Sequence, residues 1–262
     1  MESLLTIKTI SKLLNYDFSF FILCFLSFLT GLFKQFLIIF FLIIIHEFGH
    51  LLVAKLFKWK IDKIKIYIFG GCVKFNESLN KPIYEEFLIL IAGPLFQMLG
   101  FLFLTFLYNE GLIFYKDYLV IKSYNYTLLA FNLLPIYPLD GGKIFNLLCN
   151  YLFNYKLGNK FVIIISYILS MVILIFNKNY NLFLMIILLI IEITRYLKNR
   201  NFIYNRFLLE RYLNDYKFKR YKIINNYKKM YRDKRHIIKD DSYITEKEYL
   251  KKYFQKSSCV KK

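Results

Sequence analysis

The chain has 262 residues, 57% of them hydrophobic, a mean hydropathy of +0.40 and a formal net charge of +19. A soluble domain of this length does not need that much apolar sequence to bury a core, so the composition argues against an ordinary soluble enzyme and sets the chain among proteins with several membrane spans. Ile, Lys, Asn, Tyr and Phe are over-used along the whole length, which makes part of the charge and aromatic content background rather than a binding signal. The four cysteines, Cys24, Cys72, Cys149 and Cys259, have no paired spacing and suggest neither a disulfide framework nor a cysteine metal site.

A short polar lead carries Lys8 and Lys12. No small-residue cleavage site follows the first apolar run, so that run reads as a retained span and not a signal peptide. Six apolar runs are expected to cross the membrane as helices: residues 18–33, 36–54, 84–108, 119–139, 161–176 and 180–197. Lys34-Gln35 is expected to form the tight turn between the first two. Between spans two and three, alternation at Ile64, Ile66 and Ile68 followed by Gly70-Gly71 predicts a short β-hairpin that turns at the glycine pair. It is either a plain surface hairpin or an edge strand that can pair with an extended substrate. Gly93-Pro94 either kinks span three or makes room in it for a site against span two. Glu85 and Glu86 suit the N-terminal end of that span, and Glu192 and Arg195 are spaced to pair with each other. In the polar tail, Leu209, Leu213, Tyr216, Ile223 or Ile224, Tyr227 and Met230 predict an amphipathic helix over residues 206–231. It lies on the membrane, joins two copies or is simply solvated.

Six spans place both termini on one side. That side would carry 2 Lys or Arg in the lead, 7 between spans two and three, 3 between spans four and five and 21 from Arg195 onward, against 4 on the other. Both termini are therefore expected in the cytosol.

Span two carries His46-Glu47-Phe48-Gly49-His50 inside an apolar run. Residues four apart lie on one helix face, so His46 and His50 can point at the same ion. Two imidazoles at that spacing can hold Zn²⁺, and the adjacent Glu47 can take a proton from a water that the ion acidifies. A single mid-helix charge costs roughly 2.5–3.5 kcal/mol on insertion scales, so such a cluster in a span is a site by default. Its plain alternative is two histidines and a glutamate bonded to neighbouring helices. In the assumed topology the histidines lie roughly 8–14 Å from the cytosolic end of their span. Span four ends on the same side in Asn-Leu-Leu-Pro-Ile-Tyr-Pro-Leu-Asp-Gly-Gly, residues 132–142. Pro135 and Pro138 cannot continue a regular helix, so the backbone there is expected to be unwound, which is tolerated where it lines a cavity. Asp140 then becomes a third ligand, leaving a fourth position open for water; taken alone it would read as a turn aspartate before Gly141-Gly142.

His46 to His50, Phe69-Gly70-Gly71, Ala92-Gly93-Pro94 and residues 132–142 together resemble the site-2 protease family of intramembrane zinc metalloproteases, peptidase M50. Order, spacing and span number are most like the stage IV sporulation protein FB group, which processes a membrane-associated sigma-factor precursor. The resemblance covers roughly residues 1–200. It implies that His46, His50 and Asp140 are zinc ligands, that Glu47 is the catalytic base, that Asn132 helps place substrate, and that Gly70-Gly71 belong to a membrane re-entrant loop. It also implies membrane-embedded inhibitory or regulatory partners, and leaves homo-oligomerisation open. Members of that group often carry a complete nucleotide-responsive CBS domain after the last span; residues 201–262 are too few for one and read as a basic cytosolic tail, a remnant of such a module.

The expectation is an all-α polytopic membrane protein with six transmembrane helices and a short membrane-associated β-hairpin between spans two and three. Its function would be zinc-assisted hydrolysis of a membrane-associated protein near the cytosolic face of the cell membrane. A metal or proton transporter is the rival class, but it needs ionisable groups along a path to the outer face and residues 36–45 are wholly apolar. A catalytically silent membrane scaffold is the other rival, against which the intact Glu47 argues. The basic tail carries no specific nucleic-acid signal; attraction to anionic lipid explains the same charge.

Overall fold

The computed structural model describes residues 14–259 apart from 17, 68–69, 76–77, 178–179, 217, 219 and 240–242. The chain forms two units, Met1–Glu77 with Glu85–Asn132 and Ser78–Tyr84 with Leu133–Lys262.

The first unit begins with a three-residue strand β1 (Leu14–Tyr16) and helix α1 (Phe18–Leu29), followed by α2 (Phe33–Leu56), β2 (Ile61–Tyr67), β3 (Gly70–Phe75), α3 (Ile83–Asn109) and α4 (Tyr115–Asn132). Two of its helices stop at a glycine in the left-handed region. Gly31, at φ +73°, follows α1, with Leu32 N–H bonded to the Ser27 carbonyl; Gly111, at φ +74°, follows α3, with Leu112 N–H bonded to the Leu107 carbonyl. The turn between the first two helices therefore falls at Gly31 and not at Lys34-Gln35, which are inside α2. The expected hairpin is present: β2 pairs antiparallel with β3, and β1 joins the other edge of β2 in parallel. The glycine pair is not its turn. Gly70 and Gly71 are in β3, opposite Tyr67 and Ile66, and residues 68–69 between the strands lie outside the described residues. The sequence reading gave the turn to the glycines because they are the cheapest turn formers, whereas here they are strand residues. β3 packs against α2.

The second unit continues from an irregular segment, residues 133–139, into α5 (Asp140–Leu152), α6 (Tyr155–Phe176), α7 (Tyr180–Leu213), β4 (Arg220–Ile224), a 3-10 turn (Tyr227–Lys229), β5 (Lys234–Lys239), β6 (Tyr243–Thr245) and α8 (Glu246–Cys259). Helix α5 was not foreseen. Asn154 caps α6 by accepting from Leu157 N–H at 2.9 Å. Helices occupy all six of the apolar runs. Among the described residues, three of them, α2, α3 and α6, are long and apolar enough to cross a membrane. Helix α1 has 12 residues, short of the roughly 20 a bilayer requires, and α4 carries Lys116, Asp117 and Lys122 in its first half.

The tail departs most from expectation. The helix foreseen over residues 206–231 ends at Leu213, and the chain then builds a small sheet in which β4 and β5 are parallel and β5 and β6 antiparallel. Ile224 and Met230, read as one side of a helix, instead fill a core with Tyr155, Tyr204, Phe207, Leu208, Ile238 and Leu250. Against this core, over the Phe207 ring, is Arg211, 3% exposed. All five of its N–H groups are used: Nε donates to Asn80 Oδ1 (2.7 Å), Nη1 to the Lys234 carbonyl (3.0 Å) and Glu246 Oε1 (2.8 Å), and Nη2 to the Tyr231 (2.8 Å) and Arg232 (2.6 Å) carbonyls. Glu246 also accepts from His236 Nδ1 (3.0 Å), whose Nε2 takes the Tyr231 N–H (2.9 Å). Since a backbone N–H can only donate, His236 is neutral with its proton on Nδ1. Burial pushes its imidazole below the ordinary range in agreement. Burial alone would raise the Glu246 carboxyl, but the His236 hydrogen bond and the Arg211 charge outweigh it and hold it at about 2.

The same unit includes the loop before α3. Glu210 Oε2 accepts from Ser78 Oγ and Leu79 N–H, both at 2.7 Å; Asn80 Nδ2 donates to the Phe207 carbonyl (3.2 Å), and Arg232 to the Lys81 carbonyl (3.1 Å).

Candidate metal centre

His46 and His50 are both buried on one face of α2, with Glu47 beside them and half-buried. Their rings meet edge to face, centroids 4.8 Å apart. What fixes them is α3, which offers Ile89, Gly93 and Gln97 at steps of four residues, hence on one face. His50 Nδ1 lies 2.7 Å from the Ile89 carbonyl oxygen, which can only accept, so this nitrogen carries the proton. His46 Nδ1 lies 3.0 Å from Gln97 Oε1. The Gln97 amide is itself oriented, because its Nε2 sits 3.0 Å from both the backbone oxygen and Oδ1 of Asn125. His46 therefore also carries its proton on Nδ1. Both Nε2 atoms are left with lone pairs, and they face each other at 3.1 Å. Two lone pairs at that distance repel unless a cation lies between them. Two Zn–N bonds at a tetrahedral angle would hold the nitrogens about 3.3 Å apart. The donors fit zinc.

Two glycines make this arrangement feasible. A Cβ at Gly93 would come within 2.4 Å of His50 Cε1 and Nε2, and within 2.9 Å of His46 Nε2. The room foreseen at Gly93-Pro94 is thus room for the two imidazoles. A Cβ at Gly49 would meet the Ala92 carbonyl oxygen at 2.5 Å, so the glycine inside the His-Glu motif is what lets α2 and α3 approach.

The remaining expected site residues fall as follows. Asn132 is the last residue of α4 and half-buried. Gly70 and Gly71 are in β3, an edge strand of the three-stranded sheet. Asp140, in the second unit, is buried in the first turn of α5, where the helix dipole favours its charge, and accepts from Lys143 Nζ at 3.1 Å. The expected unwinding before it is present. The Tyr137 N–H finds the Ser166 hydroxyl at 3.0 Å in place of a helical carbonyl. Gly141 and Gly142 do not act as a turn. They are helical, and a Cβ on either would strike the unwound segment, at 2.2 Å from the Leu133 carbonyl oxygen and 2.4 Å from the Ile136 carbonyl.

Gln97 and Asn125 were missed by sequence reading. The available signal was an amide in the middle of an apolar span, four residues past Gly93 and so on the same face.

Similarity to known proteins agrees with this geometry. The family model for peptidase family M50 matches residues 34–115 and 113–176. Stage IV sporulation protein FB of Bacillus subtilis is 33% identical over 196 residues, 71% of this chain and 67% of the relative. A zinc metalloprotease of Methanocaldococcus jannaschii is 29% identical over 145 residues, 54% of this chain and 42% of that one. Among solved structures, the site-2 protease from Methanocaldococcus jannaschii aligns with a TM-score of 0.55 at 25% identity, covering 70% of this chain and 89% of that one.

Proposed function

The chain belongs to peptidase family M50 and is a zinc metalloendopeptidase; from that premise we propose that it cleaves a membrane-associated protein near the cytosolic face of the cell membrane. The substrate class we assign is a membrane-bound sigma-factor precursor, on the strength of the similarity to a sporulation protein. In this reading residues 1–200 form the protease part, crossing the membrane six times with both termini cytosolic, and residues 201–262 are its cytosolic tail.

The observation that carries the assignment is the pair of imidazoles, each with its Nδ1 proton held by a carbonyl and its Nε2 lone pair turned toward the other. Asp140 supplies the third donor; all three side chains are buried and of kinds that hold zinc. When bound, zinc supplies a Lewis acid that brings the pKa of water to about 7 and polarises the scissile carbonyl. Glu47 takes the proton of the attacking water and returns it to the leaving nitrogen as the C–N bond breaks. Asn132 helps place the substrate near the reacting carbonyl. The substrate must be extended to expose that carbonyl, because helical backbone shields it, and β3 with Gly70 and Gly71 offers an edge for it to pair with.

The test is zinc content and cleavage of a membrane-tethered sigma-factor precursor by detergent-purified protein, wild type beside Glu47→Gln. About one zinc per chain is expected in both, with turnover in the variant lowered by roughly 10²–10⁴. Equal cleavage by the variant would remove Glu47 as base. Absence of zinc from both would sink the centre.

A further inference from the structure

We propose that Gln97, held in orientation by Asn125, is the positioning residue for His46. An amide relay from α4 through α3 then sets the first ligand of the metal centre. The inference rests on the zinc assignment above and goes beyond it.

The relay has a direction. Asn125 presents two acceptors, its backbone oxygen and Oδ1, to the Gln97 amide nitrogen, both at 3.0 Å. Its own amide nitrogen is turned to the Met98 sulfur at 4.0 Å. Flipping the Gln97 amide would set its oxygen against a backbone carbonyl, so the amide is locked with Oε1 toward His46. A locked acceptor at Nδ1 does two things: it selects the tautomer with the lone pair on Nε2, and it fixes the ring plane about the Cβ–Cγ bond. The whole chain is dry: Gln97 and Asn125 are 0% exposed and His46 is 2% exposed. With the three side chains this dry, loss of the Gln97 oxygen takes from the His46 Nδ1 proton an acceptor that bulk water does not replace.

The two histidines are supported unequally. His50 relies on a main-chain carbonyl, that of Ile89, which no substitution removes. His46 relies on a side chain, so the sequence can alter its tautomer and aim while leaving the metal ligands untouched. Substitution at Gln97 should act on metal affinity first and on the fold second.

The test measures zinc affinity of the full-length, detergent-purified protein by competition with a chromophoric chelator, together with the visible spectrum of the cobalt-substituted form. Gln97→Met keeps length and removes the acceptor; the expected result is zinc affinity about 10–100-fold weaker and an altered cobalt spectrum. Gln97→Glu retains an oxygen toward His46; it should restore affinity to within about threefold and with it the wild-type cobalt spectrum. Asn125→Leu, which leaves the backbone oxygen in place, should lie between. Wild-type affinity in Gln97→Met overturns the relay while leaving the zinc assignment standing, and so does equal loss in Gln97→Met and Gln97→Glu. No zinc in the wild-type protein overturns both.

Discussion

Replacing Gly93 with alanine is expected to strip the protein of its zinc. The added methyl would stand 2.4 Å from two atoms of the His50 ring and 2.9 Å from His46 Nε2, closer than a Cβ approaches any atom without something shifting. The α3 backbone has no room to retreat sideways along α2, because the two helices already touch at Gly49 and Ala92. The rings must move instead, and any such movement breaks the bonds from Nδ1 to the Ile89 carbonyl and to Gln97 that aim their lone pairs. A displacement of about 1 Å in a catalytic group can cost about 100-fold in rate, and here both ligands move together. Metal analysis after dialysis should find less than about a tenth of a zinc per chain against about one in wild type, with the helical circular dichroism unchanged. A Gly93→Ala protein that keeps its full zinc would refute this account of the glycine.

The second large effect is structural. Arg211→Met should unfold the small sheet of the tail. The substitution leaves Glu246 buried without its cation and Asn80 Oδ1, with the carbonyls of Tyr231, Arg232 and Lys234, without their donor. Breaking one side of a buried pair costs about 3–5 kcal/mol, a large part of the roughly 5–15 kcal/mol that holds a domain together. Arg211→Lys should do little better, since an ammonium cannot reach five acceptors fixed in the plane of a guanidinium. Amide hydrogen exchange across residues 220–250 reads the result directly: protection should collapse in Arg211→Met, and full protection would mean that the network contributes little. Acid should reproduce part of this in the wild type. The Glu246 carboxyl is held at about 2 in the fold against 4.5 ordinarily, so its contribution is complete above about pH 4.5 and is lost as the pH falls toward 2. His236, pushed below its ordinary 6.5 by burial, acts in the same direction and earlier, because the unfolded chain takes up its proton first as the pH falls through about 6.5.

The metal-binding helix was legible because its signal is local: the histidines are four apart, and that spacing puts them on one face. The unwound segment before Asp140 was legible because two prolines three residues apart, Pro135 and Pro138, each remove a backbone donor and crowd the preceding turn, a double cost that the single Pro94 inside α3 does not impose. What followed was not. Asp140 before Gly141-Gly142 reads, taken alone, as a turn aspartate, yet it opens a helix, and its two neighbours are glycine because the Leu133 and Ile136 carbonyls press against the first turn of α5. Close approach between segments leaves no periodic trace. In the tail, Tyr216, Ile224 and Met230 fall near helical spacing, and the contacts that hold the sheet instead are long-range: the partners of Arg211 are scattered from residue 80 to residue 246. Gln97 and Asn125 were hidden for the same reason. A buried amide is recognised by what it touches, and its neighbour is 28 residues away.

The segment from Ser78 to Tyr84 is assigned by its contacts to the unit that contains the tail, although its neighbours in sequence on both sides belong to the other. In genetic terms the tail is expected to be indispensable. A nonsense mutation near codon 200 would leave His46, Glu47, His50 and Asp140 all encoded, yet remove Glu210, Arg211 and Arg232, the partners of Ser78, Leu79, Asn80 and Lys81. Such an allele should behave as a loss of function despite an intact catalytic sequence, and a suppressor screen on it should return changes in residues 78–81 that no longer need those partners.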